Sequence, residues 1–226
     1  MTLLKNLAIE ITPPILVRGL VALKKWISQD GIDEIPDGVR GPDWYDQAYA
    51  EVADYSQHYT ESRYYFVWSV IADRMSRFGV KKVVDLGCGS GQFALLLHDK
   101  NVSDYYGIDF SSRSIEMAKQ RCPFFVFDVA DLAKSEVLRE INYDCVVSLE
   151  FLEHVEFDLE LIGRIKSGTK FYGTVPNFPY TSHVRYFISE AEVQARYGRF
   201  FMDCTVERFL ENLEGRTYFL IDGIRI

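Results

Sequence analysis

The chain of 226 residues carries 25 Lys and Arg against 33 Asp and Glu, a formal charge of -8, and is 48% hydrophobic. That length suits one α/β domain with an appendage, or two small domains, and the composition excludes a disordered chain, a collagen-like repeat or a disulfide-stapled miniprotein. The acidic balance argues against a general nucleic-acid binder, which would present a basic surface.

Cys88, Cys122, Cys145 and Cys204 are widely spaced with no C-x-x-C pair, so reduced thiols in a cytoplasmic setting are expected. No stretch approaches the ~18 apolar residues of a membrane span. Lys5, Glu10, Pro13, Pro14 and Arg18 interrupt the N-terminus too early for a secretory signal.

The opening residues run against the acidic whole, with Lys5, Arg18, Lys24 and Lys25 against Glu10. After Pro13-Pro14, the residues Ile15, Leu16, Leu20, Leu23 and Ile27 recur at helical spacing. Such a basic amphipathic helix can make peripheral contact with an anionic membrane, dock on a partner, or pack on its own domain. Residues 31–42 are rich in Gly, Pro and Asp and read as a linker.

Residues 44–68 hold Tyr45, Tyr49, Tyr55, Tyr59, Tyr64, Tyr65 and Phe66, and predict two helices, the second over 60–77. Each buried tyrosine hydroxyl needs a partner, so this many suit a helical cover over a ligand cleft better than plain core. The cover is assigned residues 1–78 and the domain it serves residues 79–226.

From Val80 onward, short apolar runs alternate with amphipathic stretches. KVVDLG, YYGIDF, FFVFDV, DCVVSL and KFYGTV predict five strands, with helices over QFALLLHDK, SSRSIEMAKQR, 134–140 and 151–166. The alternation implies a parallel sheet wound by right-handed crossovers. The tail predicts a helix in SEAEVQARYG, then a closing strand pair in RFFMDCTVERFL and RTYFLIDGIRI with a turn at residues 213–215.

The first strand runs into Asp85-Leu86-Gly87-Cys88-Gly89-Ser90-Gly91. Glycines at 87, 89 and 91 let the backbone turn sharply and approach a ligand before a helix begins. The spacing is G-x-G-x-G, not the G-x-G-x-x-G of a dinucleotide fold. Asp85 would repel a pyrophosphate but can hold an amino group or a sulfonium-bearing ligand. A plain tight turn is the alternative.

Asp109 closes the second strand, where a carboxylate can accept both hydroxyls of a ribose; capping the next helix is its alternative role, which Ser111 or Ser112 also fills. Asp128 closes the third, placed to take an adenine amino group beside the Val129 N–H. Three acids in register at strand carboxyl ends point to a nucleoside cleft.

The series DLGCGSG, GIDFS, FDVADL and SLEFLEHV resembles the motifs of class I S-adenosylmethionine-dependent methyltransferases, over roughly Val80 to the C-terminus. The resemblance implies a Rossmann-like, seven-stranded, mostly parallel sheet with an antiparallel last strand. It implies that Gly87, Gly89 and Gly91 line the methionine portion of S-adenosylmethionine, with Asp85 and Cys88 nearby. Asp109 and Phe110 would lie at the ribose, Asp128 and Val129 at the adenine, and Leu149 under the sulfonium. The HYTESRYYFVW stretch more weakly resembles the leaders of methyltransferases encoded with bacterial surface-polysaccharide genes. Arg63, within it, can pair with the ligand's carboxylate or sit as an ordinary surface arginine.

With helix from about Phe151, the residues Glu150, Glu153 and His154 share one face by i, i+3, i+4 spacing. His183 follows the neighbouring fifth strand. Two carboxylates and two imidazoles there can hold Mg²⁺, Mn²⁺ or Zn²⁺ and lower the pKa of a substrate hydroxyl. E-x-x-E-H resembles the pattern of ubiquinone-pathway O-methyltransferases and of small-RNA 3′-end 2′-O-methyltransferases; in the latter a later His completes a metal site. Many class I methyltransferases carry L-E-H without metal, in which case Glu153 caps or pairs and His154 is a general base or structural.

Arg185 and Tyr186 are candidates, with His183, for contact with the acceptor, while His58 and His98 have no assigned role. The expectation is O-methylation of a small molecule or a sugar or polysaccharide precursor. The alternatives are an RNA 2′-O-methyltransferase, which needs a basic groove, and a non-catalytic protein that binds the cofactor.

Overall fold

The computed structural model describes residues 38–211 and 215–226. The basic helix expected over 15–27, most of the 31–42 linker and most of the turn at 213–215 lie outside them. The strands are β1 (Lys82–Leu86), β2 (Asp104–Asp109), β3 (Val126–Val129), β4 (Cys145–Leu149), β5 (Lys170–Pro176), β6 (Phe201–Leu210) and β7 (Thr217–Arg225). They form one sheet in the order β3-β2-β1-β4-β5-β7-β6. β1 to β5 are parallel, and β7 runs antiparallel to both β5 and β6. All seven strands anticipated from the sequence are present, and the architecture is the Rossmann-like one expected.

The strand sequences are nearly continuous in apolar residues because both faces of the sheet are covered. Alternation sorts them. Val83, Cys145, Val147, Tyr172 and Leu220 pack on one side with Trp68, Ile71, Met75, Phe93 and Leu97. Val84, Val146, Phe171, Phe219 and Ile221 pack on the other with Leu138, Leu161, Ile162 and Tyr197. The helices are α1 (Pro42–Glu51), α2 (Tyr65–Phe78), α3 (Gln92–Asp99), α4 (Ser112–Arg121), α5 (Val137–Glu140), α6 (Asp158–Arg164) and α7 (Glu190–Tyr197).

Three expected helices change. The one over 60–77 starts at Tyr65, after a separate 3-10 turn at Tyr59–Glu61, and the one over 134–140 shrinks to α5. The helix expected over 151–166 splits into a 3-10 turn, Leu152–His154, and α6, with Val155 extended between them. Its break has a physical cause: Arg185 donates to the carbonyls of Leu152 and Val155, which a continuous helix would have used for its own bonds.

Arg185 is in turn anchored on Asp158, whose side chain is fully buried. Asp158 accepts two bonds of 2.8 Å from Arg196 and one of 2.8 Å from the Tyr197 hydroxyl, with Arg185 at 3.4 Å. Truncating this acid strands two cations and a phenol in the interior. Asp158→Ala is therefore expected to lower unfolding free energy by roughly 3–5 kcal/mol, read from urea denaturation followed by circular dichroism.

Candidate active site

The strand order reverses between β1 and β4, so the carboxyl ends of those strands open the crevice where open α/β sheets place their ligands. On the β1 side the loop turns through Gly87, Gly89 and Gly91 with φ of 81°, 52° and 76°. A side chain at Gly87 would run into the ring of Phe151, and one at Gly89 would stand 2.7 Å from the Tyr49 hydroxyl. Both positions therefore need glycine for room as well as for backbone angle.

Asp109, buried at the end of β2, accepts from the Gly89 N–H at 3.0 Å and the Ser111 N–H at 2.9 Å, so it sets the loop's shape. Burial pushes its carboxyl up. Ser111 caps α4 by accepting from Ser114 N–H.

Asp85 is 2% exposed; one oxygen accepts from the Tyr105 hydroxyl at 2.5 Å and the other has no partner. Burial raises its pKa to about 7, the Tyr105 bond opposing. Cys88 is a buried free thiol beside them. Asp128 and Val129 are exposed at the edge strand, Asp128 accepting from the Tyr106 hydroxyl. Phe110 packs its ring edge-on against Tyr45, and Leu149 is half-buried at the end of β4.

On the β4 side, Glu153, His154 and His183 bring one ligand atom each within 4.8 Å of one another. His154 Nδ1 lies 3.0 Å from the Ser182 carbonyl, and His183 Nδ1 lies 3.1 Å from the Phe178 carbonyl. A carbonyl oxygen only accepts, so both rings carry their proton on Nδ1 and keep the Nε2 lone pair free. Burial drives both imidazoles towards neutrality, His154 down to about 3 and His183 down to about 4, with His183 adding to the effect on His154.

Glu153 has a fully buried side chain, and neither oxygen has a hydrogen-bond partner; burial pushes it up to about 8. Its 3.8 Å approach to His154 Nε2 is too long for a hydrogen bond, and with the ring neutral it is no ion pair.

Glu150 does not join this group. The split of the expected helix puts it in left-handed backbone at φ 53°, with its N–H on Thr174 Oγ1, so the i, i+3, i+4 face does not form. Its carboxyl is pushed well up by burial and by the charge of Glu153. Arg63 pairs with Asp54 at 2.6 Å and lies 3.6 Å from Glu211. Arg185, expected at the acceptor, instead clamps the turn that carries Glu153 and His154, while Tyr186 is exposed.

Several site residues escaped the sequence reading. Arg121 donates to Ser90 and to the carbonyls of Tyr55, Ser56 and Gln57, stitching that loop to the glycine turn. Gln92 does the same through the carbonyls of Asp54 and Gln57. Tyr45 reaches His154 from α1. The tyrosine count marked the segment, but no signal picked out which tyrosine.

Comparison with known proteins agrees with this fold. The family model for a methyltransferase domain matches residues 59–200. The methyltransferase domain of bacterial CtHen1-C is 20% identical, covering 69% of this chain and 95% of its own, with a TM-score of 0.55. Magnesium protoporphyrin IX methyltransferase from Synechocystis PCC 6803, solved with bound SAH, is 17% identical over 71% of this chain and 82% of its own, TM-score 0.55. The N-methyltransferase NodS from Bradyrhizobium japonicum WM9, in complex with S-adenosyl-L-homocysteine, is 15% identical over 72% of this chain and 87% of its own, TM-score 0.56.

No curated protein sequence matches the chain significantly. The chain belongs to the methyltransferase domain family. It is an S-adenosylmethionine-dependent methyltransferase of the class I fold. No helix among the described residues is long and apolar enough to cross a membrane.

The unpartnered Asp85 makes stability depend on pH. Its folded pKa of about 7 lies above the ordinary 3.8, so the native state binds the extra proton between those values and stability falls as pH rises through that window. Asp85→Asn retains the Tyr105 bond and removes that slope. Its gain over wild type between about pH 5 and about pH 8 is expected to be on the order of 2–4 kcal/mol, read from urea midpoints.

Proposed function

We propose that this protein methylates a hydroxyl oxygen of a small molecule or of a sugar or polysaccharide precursor, with a divalent cation held by Glu153, His154 and His183. The observation that carries the reading is the pair of imidazoles with Nδ1–H fixed on backbone carbonyls and Nε2 free, converging on a buried carboxylate with two unpartnered oxygens. A carbonyl that holds the far ring nitrogen in this way orients a metal-ligating histidine. Mixed imidazole and carboxylate donors suit Mn²⁺ or Zn²⁺, and Mg²⁺ more weakly.

A cation bound there supplies Lewis acidity that lowers the pKa of the acceptor hydroxyl. The remaining work falls to the chain's own groups. The glycine turn and Asp109 receive the methionine and ribose portions of the methyl donor, and Asp85 offers its unpartnered oxygen to the donor's ammonium group. Asp128 and the apolar surface of Val129 receive the adenine, while Phe110 and Leu149 line the path between. Arg63 reaches a ligand carboxylate only by leaving Asp54. Glu153 and His154 hold the acceptor against the methyl group and, with His154 Nε2 given to the cation, the second Glu153 oxygen is the group left to take its proton. The formal charge of -8 favours a small or glycan acceptor over RNA.

Transfer from labelled S-adenosylmethionine to nucleotide sugars, catechols and short RNAs, with Mg²⁺, Mn²⁺ or EDTA, tests this reading. Labelling of a sugar or phenol that EDTA abolishes and Mn²⁺ restores is the expected result. Glu153→Gln and His183→Ala are each expected to lower kcat on the order of 100-fold or more. Transfer indifferent to chelation discards the cation and leaves Glu153 and His154 as the proton acceptors. Labelling of RNA alone overturns the acceptor class.

A further inference from the structure

Helix α1 lies outside the stretch that matches the methyltransferase family, yet it reaches both halves of the cleft. On one side the Tyr45 hydroxyl lies 3.0 Å from His154 Nδ1, and its ring stands edge-on to His154 at 6.0 Å and 86°. That nitrogen's proton already points to the Ser182 carbonyl, so the Tyr45 oxygen is a second acceptor for it. The same ring meets Phe110, next to Asp109, at 5.2 Å.

On the other side the next residue, Asp46, accepts from Ser111 Oγ at 2.6 Å, Ser112 Oγ at 2.9 Å and the Arg113 N–H at 3.1 Å. An acid at a helix N-terminus meets both unpaired N–H groups and the positive end of the dipole. α1 buries no residue fully, and beside the ring contacts of Tyr45 with Phe110 and Tyr49 with Tyr55, Asp46 is what ties it to the start of α4.

We infer that Tyr45 is a positioning residue for His154, delivered by α1, and that Asp46 is the latch that docks the helix. The acceptor side of the site is then complete only when α1 is seated across the crevice, on the strand end that carries Asp109. Tyr49, one turn further on, places its hydroxyl over Gly89 in the same seated state. Closure over the donor half and alignment of the imidazole in the acceptor half become one event, carried by two consecutive side chains.

The inference rests on His154 standing at the acceptor centre, and its test reads that ring directly. In protein with ¹⁵N-labelled histidine, the signal lost in His154→Gln identifies the ring, and its two nitrogens report the tautomer without any turnover. Wild type is expected to show one tautomer, protonated on Nδ1. Tyr45→Phe retains the ring, the fold and the Ser182 bond, and is expected to keep the tautomer but shift the Nδ1 signal as that proton loses its second acceptor. In the methyl-transfer assay it lowers kcat about 10-fold or more with KM little changed.

Asp46→Ala is expected to give the same spectral change, and the double variant no more than Asp46→Ala alone, because both act through one docked helix. Gln47→Ala, on the exposed face of α1, is expected to leave the His154 signals in place. His154 signals unmoved by Tyr45→Phe overturn the positioning role, and signals unmoved by Asp46→Ala overturn the latch. A chain that transfers no methyl group to any acceptor tried would sink the functional reading while the spectra still decide this one.

Discussion

The β4 side of the crevice hangs on a single buried acid. Asp158 has no exposure and is saturated by Arg196, Tyr197 and Arg185. Because Arg185 is fixed there, its guanidinium can hold the carbonyls of Leu152 and Val155 and keep the 152–154 turn from extending into helix. The Glu153 carbonyl is pinned as well, by the Val184 N–H at 2.8 Å. A turn held from both flanks presents Glu153 and His154 in fixed directions, which a mobile loop could not do. Site precision of this kind comes from the supporting shell as much as from the groups themselves.

The β1 side is tied differently, through backbone carbonyls instead of a buried acid. Ser90, Gln92 and Arg121 bind the carbonyls of residues 54–57, so the glycine turn and the segment after α1 form one unit. Arg121 has no carboxylate partner among these contacts, and burial pulls its pKa down. An arginine suits the task because its planar fork reaches several carbonyls at once. The two halves of the crevice thus have separate supports, and α1 is the element that touches both.

Much of this was visible in the sequence, for reasons that can be stated. The strands were legible because residues buried on both faces leave near-continuous apolar runs, and their ends because Gly and Asp interrupt those runs at 85–91, 109 and 128. Glu153, His154 and His183 were legible because adjacent strands in this topology bring their carboxyl ends together. Glu150 was misplaced because its position depends on a left-handed backbone that spacing alone cannot reveal. Arg185 looked like a substrate contact because a charge near a histidine invites that reading; its true partners are carbonyls about 30 residues away. Tyr45 meets its partner across 109 residues, a separation at which no local pattern carries information.

The four fully buried carboxylates among the described residues divide in an informative way. Asp109 and Asp158 have both oxygens engaged by protein donors. Asp85 keeps one oxygen unpartnered and Glu153 keeps two, while the less buried residues Glu150 and Glu211 keep one each. The fold therefore has the means to satisfy a buried acid, at Asp158 to brace the turn and at Asp109 to shape the glycine loop while leaving further lone pairs on each oxygen. An unpartnered one is costly enough that it persists only where something from outside supplies the missing contact. The two exceptions sit near the end of β1 and in the turn after β4, hydrogen-bonded strands on either side of the point where strand order reverses. One opens onto the glycine turn and the other onto the two imidazoles. Among these four acids, the free lone pairs therefore stand on the two sides of the switch point, where the proposed function puts methyl donor and acceptor.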